Sequence, residues 1–460
     1  MDIRLTIEAF IKEKEINLYG LSKMTKINRG ILSDALNGNP PKIFSLAQVD
    51  AITEAMGLPE GSLYKLYIAE CKRSVHWRRV QPFLMRCAEL NRTDCLIEIM
   101  PALVEDIKNL AWIFTTAEDM YDAGYKQSAA ILYQYITEIE RSSFSEKLAI
   151  SYYKLFKIYR SSELKGFQAA MQFIPYRHRV PEAYIMDGLI MLADAHAIRN
   201  KWEEVAFYAD ELCKAAESAY RSGLWKSSSF ELERPLVYYY AQGHLYKACY
   251  YEEKMMLDES KKWIAKYADL SWFEGLDEAG RLEVERFKMF AEANTLLCNV
   301  KTGNREAIQD YVTYLQAHPS EIIEGLIAIL DTAIRYNMSI DQQLNCFSDY
   351  IQQLRDPAEQ VELNSISYKE GYHIYRQSNF YLKWSIYCTK NQCYTEAVEH
   401  ILQSLKLAIR ISNNTNMESK TMGEFEMIRD YSTTPQQAEF RLLCREVCKK
   451  NETEYGYFVT

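Results

Sequence analysis

At 460 residues the chain is long enough for two or more domains, each with a core of its own. Hydrophobic content of 48% and charged content of 25% are those of an ordinary folded protein, and only 17 Gly and 11 Pro leave little room for a hairpin-rich, all-β fold. A net charge of −9 argues against wholesale coating of nucleic acid, and no run approaches the about 18 apolar residues of a membrane span.

The opening stretch, MDIRLTIEAFIKEKE, has no uninterrupted apolar core and carries acids, so no signal peptide is expected and the protein is read as cytoplasmic. Ile3, Ile7, Phe10 and Ile11 recur at helical spacing and predict a first helix. From Asn17 to Gly38 the pattern is two short helices joined by a tight turn. Asn17 caps the first, whose apolar stripe is Leu21 and Met24, with the small Ser22 at the crossing. Lys26 and Ile27 form the turn and Asn28 caps the second helix. Ile31, Leu32, Ala35 and Leu36 give that helix its apolar positions, and Asn37-Gly38 its stop. After Asn39-Pro40-Pro41, the capping box Ser45-Leu46-Ala47-Gln48 opens a helix with Val49, Ile52 and Met56 inward, ended by Gly57. Pro59 is expected to begin another, with Leu63, Leu66 and Tyr67 on its apolar side. Residues 72–79, KRSVHWRR, read as a basic linker. Between Met1 and Arg79 lie 12 basic and 9 acidic residues, which leaves 42 basic and 54 acidic in the remainder. A mildly basic head on an acidic body suits a small DNA-binding module joined to something else.

The stretch from Asn17 to Gly38 resembles the helix-turn-helix of the phage-repressor-like (XRE) regulators, and the likeness covers roughly the first seventy residues. Leu21, Ile27, Leu32, Ala35 and Gly38 fall on that family's core and turn positions, while Leu18, Lys26 and Leu36 stand where it has Gln, Gly and Glu. The resemblance implies a DNA-binding domain over residues 1–71 whose second helix enters the major groove. In that geometry Asn28, Arg29, Gly30, Ser33 and Asp34 face the bases, Arg29 pairs with guanine, and Ile31 touches a thymine methyl. Lys23, Lys26, Asn37 and Lys42 are placed for phosphate. Without the resemblance, the same pattern is an ordinary helical hairpin.

From about Val80 onward long amphipathic segments follow one another with no convincing strand, so the fold class is all-α. Several segments share a signature in which an apolar or aromatic residue is followed three on by a small one and seven on by a large one. Tyr125/Ser128/Leu132, Leu257/Ser260/Ile264 and Tyr394/Ala397/Ile401 follow it, Asn304/Ala307/Tyr311 keeps only the small and large members, behind Gly303, and Trp202/Val205/Ala209 is a looser copy. The small residue admits a neighbouring helix and the large ones fill the groove beside it. The signature resembles the tetratricopeptide repeat, a helix pair that buries its faces by stacking on neighbours. Degenerate repeats of roughly forty residues give about eight or nine helix pairs over residues 80–420, a right-handed α-solenoid with a concave inner surface. Residues 421–460 are more charged and less regular, and would cap the stack.

Motifs for catalysis are missing: no GxxxxGK[ST], no GxGxxG after a strand, no HExxH and no GxSxG. The seven histidines form no ligand pair, and the 11 scattered cysteines read as free thiols. The acids Glu203-Glu204 and Glu252-Glu253 read as solvated helix positions. Neither an enzyme nor a metal or cofactor is expected. The densest run of tyrosines, LVYYYAQGHLYKACYY from Leu236 to Tyr251, brings Tyr239, Gln242, Tyr246 and Tyr250 near one helical face, where they could line a groove for an extended peptide. Asn294, Asn299, Tyr372, Arg376 and Asn379 form a second candidate, because an Asn amide matches both the donor and the acceptor of a peptide backbone. Such aromatic stripes also arise from helix packing.

A repressor-like head on a tetratricopeptide body resembles the peptide-pheromone receptors of Gram-positive bacteria and their phages, the RRNPP group, which includes the arbitrium receptors of lysis–lysogeny control. The resemblance implies a homodimeric transcription regulator that binds operator DNA through its head and a short signalling peptide in its groove, as in quorum sensing. Two other readings stay open: an interaction scaffold with a vestigial head, and an inhibitor of a response regulator acting through its repeats.

Overall fold

The computed structural model describes residues 2–140, 145–223, 226, 230–355, 368–410 and 415–455. Among them the secondary structure is helix and connecting turn, with no strand, in agreement with an all-α fold. No described helix is long and apolar enough to cross a membrane. The chain divides into two units, 1–191 and 192–460.

The first unit holds α1 (Ile3–Glu13), α2 (Leu18–Thr25), α3 (Arg29–Asn37), α4 (Leu46–Ala55), α5 (Tyr64–Arg73), α6 (Trp77–Glu89), α7 (Thr93–Val104), α8 (Leu110–Asp122), α9 (Lys126–Ile139), α10 (Glu146–Tyr159), α11 (Glu163–Phe173) and the start of α12 (Glu182–Ala197). Side-chain caps begin the early helices. The Asn17 carbonyl accepts from the amides of Tyr19 and Gly20, Asn28 accepts from Gly30, and Ser45 and Gln48 cap each other's backbone amides. Ile3, Ile7, Leu21, Leu32, Ala35, Val49 and Ile52 are buried as their spacing requires. Three expectations change. Met24 is exposed rather than part of the buried stripe of α2, whereas Ile31 is exposed, as the expected thymine contact requires. The helix expected at Pro59 begins at Tyr64, and residues 74–76 are the only non-helical part of the basic stretch 72–79. The first five helices also share one core with those that follow. Phe83 of α6 meets Tyr64 and Tyr67 edge-on at 5.3 and 5.4 Å, Arg92 Nη1 donates to the Gly61 carbonyl at 2.5 Å, and apolar burial continues without a gap to Leu155.

Arg4 fastens α3 within this unit. Its guanidinium grips both Glu70 oxygens (2.5 and 2.8 Å), while Nε donates to the Ala35 carbonyl at 2.8 Å. Both side chains are buried, and the pair is tolerated because Arg4 Nε, Nη1 and Nη2 and both Glu70 oxygens all find partners.

The second unit contains the end of α12, α13 (Trp202–Arg221), α14 (Leu236–Glu253), α15 (Leu257–Ala268), α16 (Glu278–Lys301), α17 (Arg305–Ala317), α18 (Ile322–Tyr336), α19 (Asp341–Asn345), α20 (Ser348–Arg355), α21 (Tyr368–Lys390), α22 (Tyr394–Ile409), α23 (Thr415–Ile428) and α24 (Thr434–Tyr455). From α13 to α18 each helix packs on the next. α14 also packs on α16, α16 on α18, α18 on α21, and α21 on α23. One turn recurs at several hairpins. Met255 (φ 58°) and Gln392 (φ 63°) are left-handed, and the amide one residue further on bonds back to the carbonyl five residues before it, Met256 to Tyr251 and Cys393 to Cys388. The small–large signature starts immediately afterwards. Ser260 and Ala397 are fully buried where their hairpin partners cross, and Ser260 Oγ donates to the Ala248 carbonyl at 2.9 Å.

Candidate functional site

Two surfaces carry the residues singled out by the sequence. The first is formed by α2 and α3. Lys26, in the turn, adopts φ 57°, a left-handed conformation that costs a non-glycine residue about 1–2 kcal/mol. The turn is held by Ser22 Oγ donating to the Ile27 carbonyl at 2.6 Å. Seated by Leu32, Ala35 and Leu36, α3 exposes Asn28, Arg29, Gly30, Ile31, Asp34 and Asn37, with Ser33 half-buried. Lys42 is exposed but paired with Asp34 at 2.6 Å, so these two residues first meet each other. In water such a pair is weak and open to exchange. Lys23 lies 4.8 Å from the ring centre of Tyr19, which is itself 56% exposed. Tyr19 was not legible as a surface residue, since an aromatic at the start of a helix usually packs.

The second surface lies in the 192–460 unit. On α14, α16, α18 and α21, partly exposed side chains recur at steps of three, four and seven, the spacing of a single helical face. On α14 the stripe is Gln242, Cys249 and Glu253; on α16 it is Asn294, Leu297 and Lys301. It continues through Glu324, Ile327 and Asp331 on α18 to Arg376, Asn379, Lys383 and Lys390 on α21. Ion pairs bridge these helices: Lys301 to Glu252 at 2.6 Å, Lys383 to Asp331 at 2.6 Å, and Arg376 to Glu324. Burial disfavours the Lys301 ammonium, but the Glu252 and Glu253 carboxylates more than offset it and its pKa rises. Burial pushes the Glu253 carboxyl up against the pull of Lys301, although its side chain is open to water.

This arrangement places Gln242, Asn294, Arg376 and Asn379 on the partly exposed faces of α14, α16 and α21. It separates the others. Tyr239 is wholly buried, and the Tyr246 hydroxyl donates to Asp194 on α12; both flank the stripe, where neighbouring helices close over them. Tyr250 is half-buried and hydrogen-bonded to Glu203. Asn299 falls five residues beyond Asn294, on nearly the opposite side of α16. The side chain of Tyr372 lies outside the described residues. Asn294 is engaged as well, its amide donating to the Tyr267 hydroxyl at 2.9 Å. Of the acids expected in solvent, Glu203 and Glu253 are exposed, Glu203 pairing at the surface with Lys254 at 2.6 Å, whereas Glu252 is buried on Lys301.

A third cluster, in the 1–191 unit, escaped the sequence reading. Lys154 of α10 lies 3.3 Å from Glu118 and 3.9 Å from the ring centre of Tyr121, both on α8. Lys157 lies 3.4 Å from Asp187, which also accepts from the Tyr153 hydroxyl at 2.7 Å. Burial lowers the Lys157 pKa in spite of that carboxylate. Partners about thirty residues apart leave no local pattern to find. Among the described residues no group of three or more His, Cys, Asp and Glu could hold a metal ion. No family model matches the chain, and no curated protein matches it.

Proposed function

We propose that the protein is a DNA-binding transcription regulator switched by a short peptide: residues 1–71 are a helix-turn-helix domain, and the repeats of 80–420 form a tetratricopeptide-like solenoid with a peptide-binding inner face. The observation that carries the reading is the first turn of α3, where Arg29, Gly30 and Ile31 are open to solvent while Leu32, Ala35 and Leu36 seat the helix. An exposed guanidinium at the start of a short second helix is the chemistry that reads guanine in a major groove. The recurring left-handed turn, followed by a buried small residue, supports the repeat reading. A peptide that binds one superhelical pitch better than another would shift the population toward it. In a cytoplasmic homodimer that pitch would set the spacing of the two heads, coupling peptide and operator reciprocally.

Genome-wide capture of DNA fragments by the purified protein, with and without a peptide extract of spent medium, tests the reading. A palindromic site that the extract strengthens or erases is expected, lost in Arg29→Ala at unchanged melting temperature. No enriched fragment in either condition would replace the reading with that of an interaction scaffold.

A further inference from the structure

The last turn of α3 is held by a residue of α1. The final carbonyls of a helix have no partner within it. On α3 that of Asp34 accepts from the Lys42 amide at 3.1 Å, where the chain folds back so closely that a Cβ on Gly38 would collide with it. That of Ala35 accepts from Arg4 Nε at 2.8 Å, and Arg4 Nη2 also donates to the Lys42 carbonyl at 3.2 Å. One guanidinium therefore ties the end of α3 to the segment returning over it. Its direction is fixed from behind by Glu70 of α5, which is 1% exposed and bonded to Arg4 at 2.5 and 2.8 Å. Arg73, further along α5, lies 3.4 Å from the same carboxylate. α5 is seated in turn by its neighbours: the Tyr67 hydroxyl donates to the Phe44 carbonyl at 2.9 Å, and Phe83 of α6 covers the ring.

We infer that Arg4 and Glu70 are positioning residues for base reading: Glu70 aims Arg4, Arg4 sets the tilt of α3, and the surface of α3 is thereby tied to α5 and the helices packed on it. The inference rests on the DNA-binding reading above and adds what orients the reading helix. The first turn of α3 is fixed by the Ser22 bond to the Ile27 carbonyl, so release at the far end lets the helix swing about that turn. At nine residues α3 is about 13 Å long, so a shift of about 3 Å at its far end is a swing of about 13°. Productive geometry at a recognition site is kept only within about 10–20°, and bidentate pairing with a base is that kind of contact. Phosphate contacts demand less of angle, and those expected of Lys23 and Lys26 lie on α2 and the turn, which Arg4 does not hold.

The test uses the full chain and a pool of short duplexes with a randomised centre. The duplex that wild type prefers is compared with a scrambled one across salt concentrations, well below the melting temperature. Arg4→Lys keeps the charge but loses the planar fork that serves Glu70 and the Ala35 carbonyl together. Glu70→Gln keeps the shape and removes the charge. Each should lower the ratio of preferred to scrambled affinity by roughly tenfold. Affinity for the scrambled duplex and its salt slope, which count phosphate contacts, should not change. Arg29→Ala should lower the same ratio. Combined with Arg4→Lys it should lower it by less than the product of the two effects, because a misaimed Arg29 has little left to lose. A role in stability alone would lower the melting temperature and leave the ratio of the folded protein unchanged. Ratios equal to wild type in the folded variants, or effects that multiply, overturn the inference while leaving DNA reading intact. Where neither variant folds, hydrogen exchange of the wild type decides. The preferred duplex should slow exchange in α5 around Glu70, a buried place that no base reaches, and unchanged exchange there also overturns the inference. A wild type that prefers no duplex overturns both readings.

Discussion

Glu424 shows what enclosure does to a single ionisable group. It is buried on α23, its carboxylate accepting from the Thr389 hydroxyl at 3.3 Å, and burial raises its pKa while that hydrogen bond pulls the other way. A carboxyl with a raised folded pKa binds its proton more tightly folded than unfolded. Its stabilising contribution is therefore full below the unfolded value, near 4.3 for a free glutamate, and is lost as pH rises through the folded value. Glu424→Gln should match wild type in unfolding free energy at about pH 3.5 and exceed it at pH 7. Urea titrations across that range check this; a difference that does not change with pH would sink it. Arg4 and Glu70 illustrate the opposite case, a buried pair in which each partner makes the other's charge tolerable.

At the scale of the element, the hairpins work because a small residue sits where two helices cross. Ala397 is fully buried between α21 and α22, and its carbonyl accepts from Ser385 Oγ at 2.9 Å. Added carbons there have nowhere to go without moving a helix. Ala397→Leu should therefore cost about 1–3 kcal/mol in denaturant unfolding. An unchanged midpoint would mean that the crossing is looser than the burial of Ala397 indicates. The α2–α3 pair has different constraints. Its turn is bonded through Ser22 and its outer side is left to solvent, so Met24 and Ile31 tolerate exposure that a core position would not.

On the scale of the whole molecule, the first five helices are not a tethered bead. Tyr64, Tyr67 and Cys71 are fully buried, and the two rings are covered by Phe83 of α6. A fragment of residues 1–79 lacks that cover and should melt without a cooperative transition, whereas 1–191 should melt sharply; calorimetry of the two decides, and a sharp transition in 1–79 would refute it. What was legible in the residues alone is what helices settle locally: the caps at Asn17, Asn28 and Ser45, the inward faces around Leu21 and Leu32, and the hairpin crossings at Ser260 and Ala397. Spacing of 3.6 residues per turn says which side of a helix is inward but not which helix will cover it. The enclosure of Tyr239, the pairing of Glu252 with Lys301, and the convergence of α14, α16, α18 and α21 into one stripe were settled by contacts between residues tens of positions apart. No local period encodes such partners, because they are chosen by which faces stack.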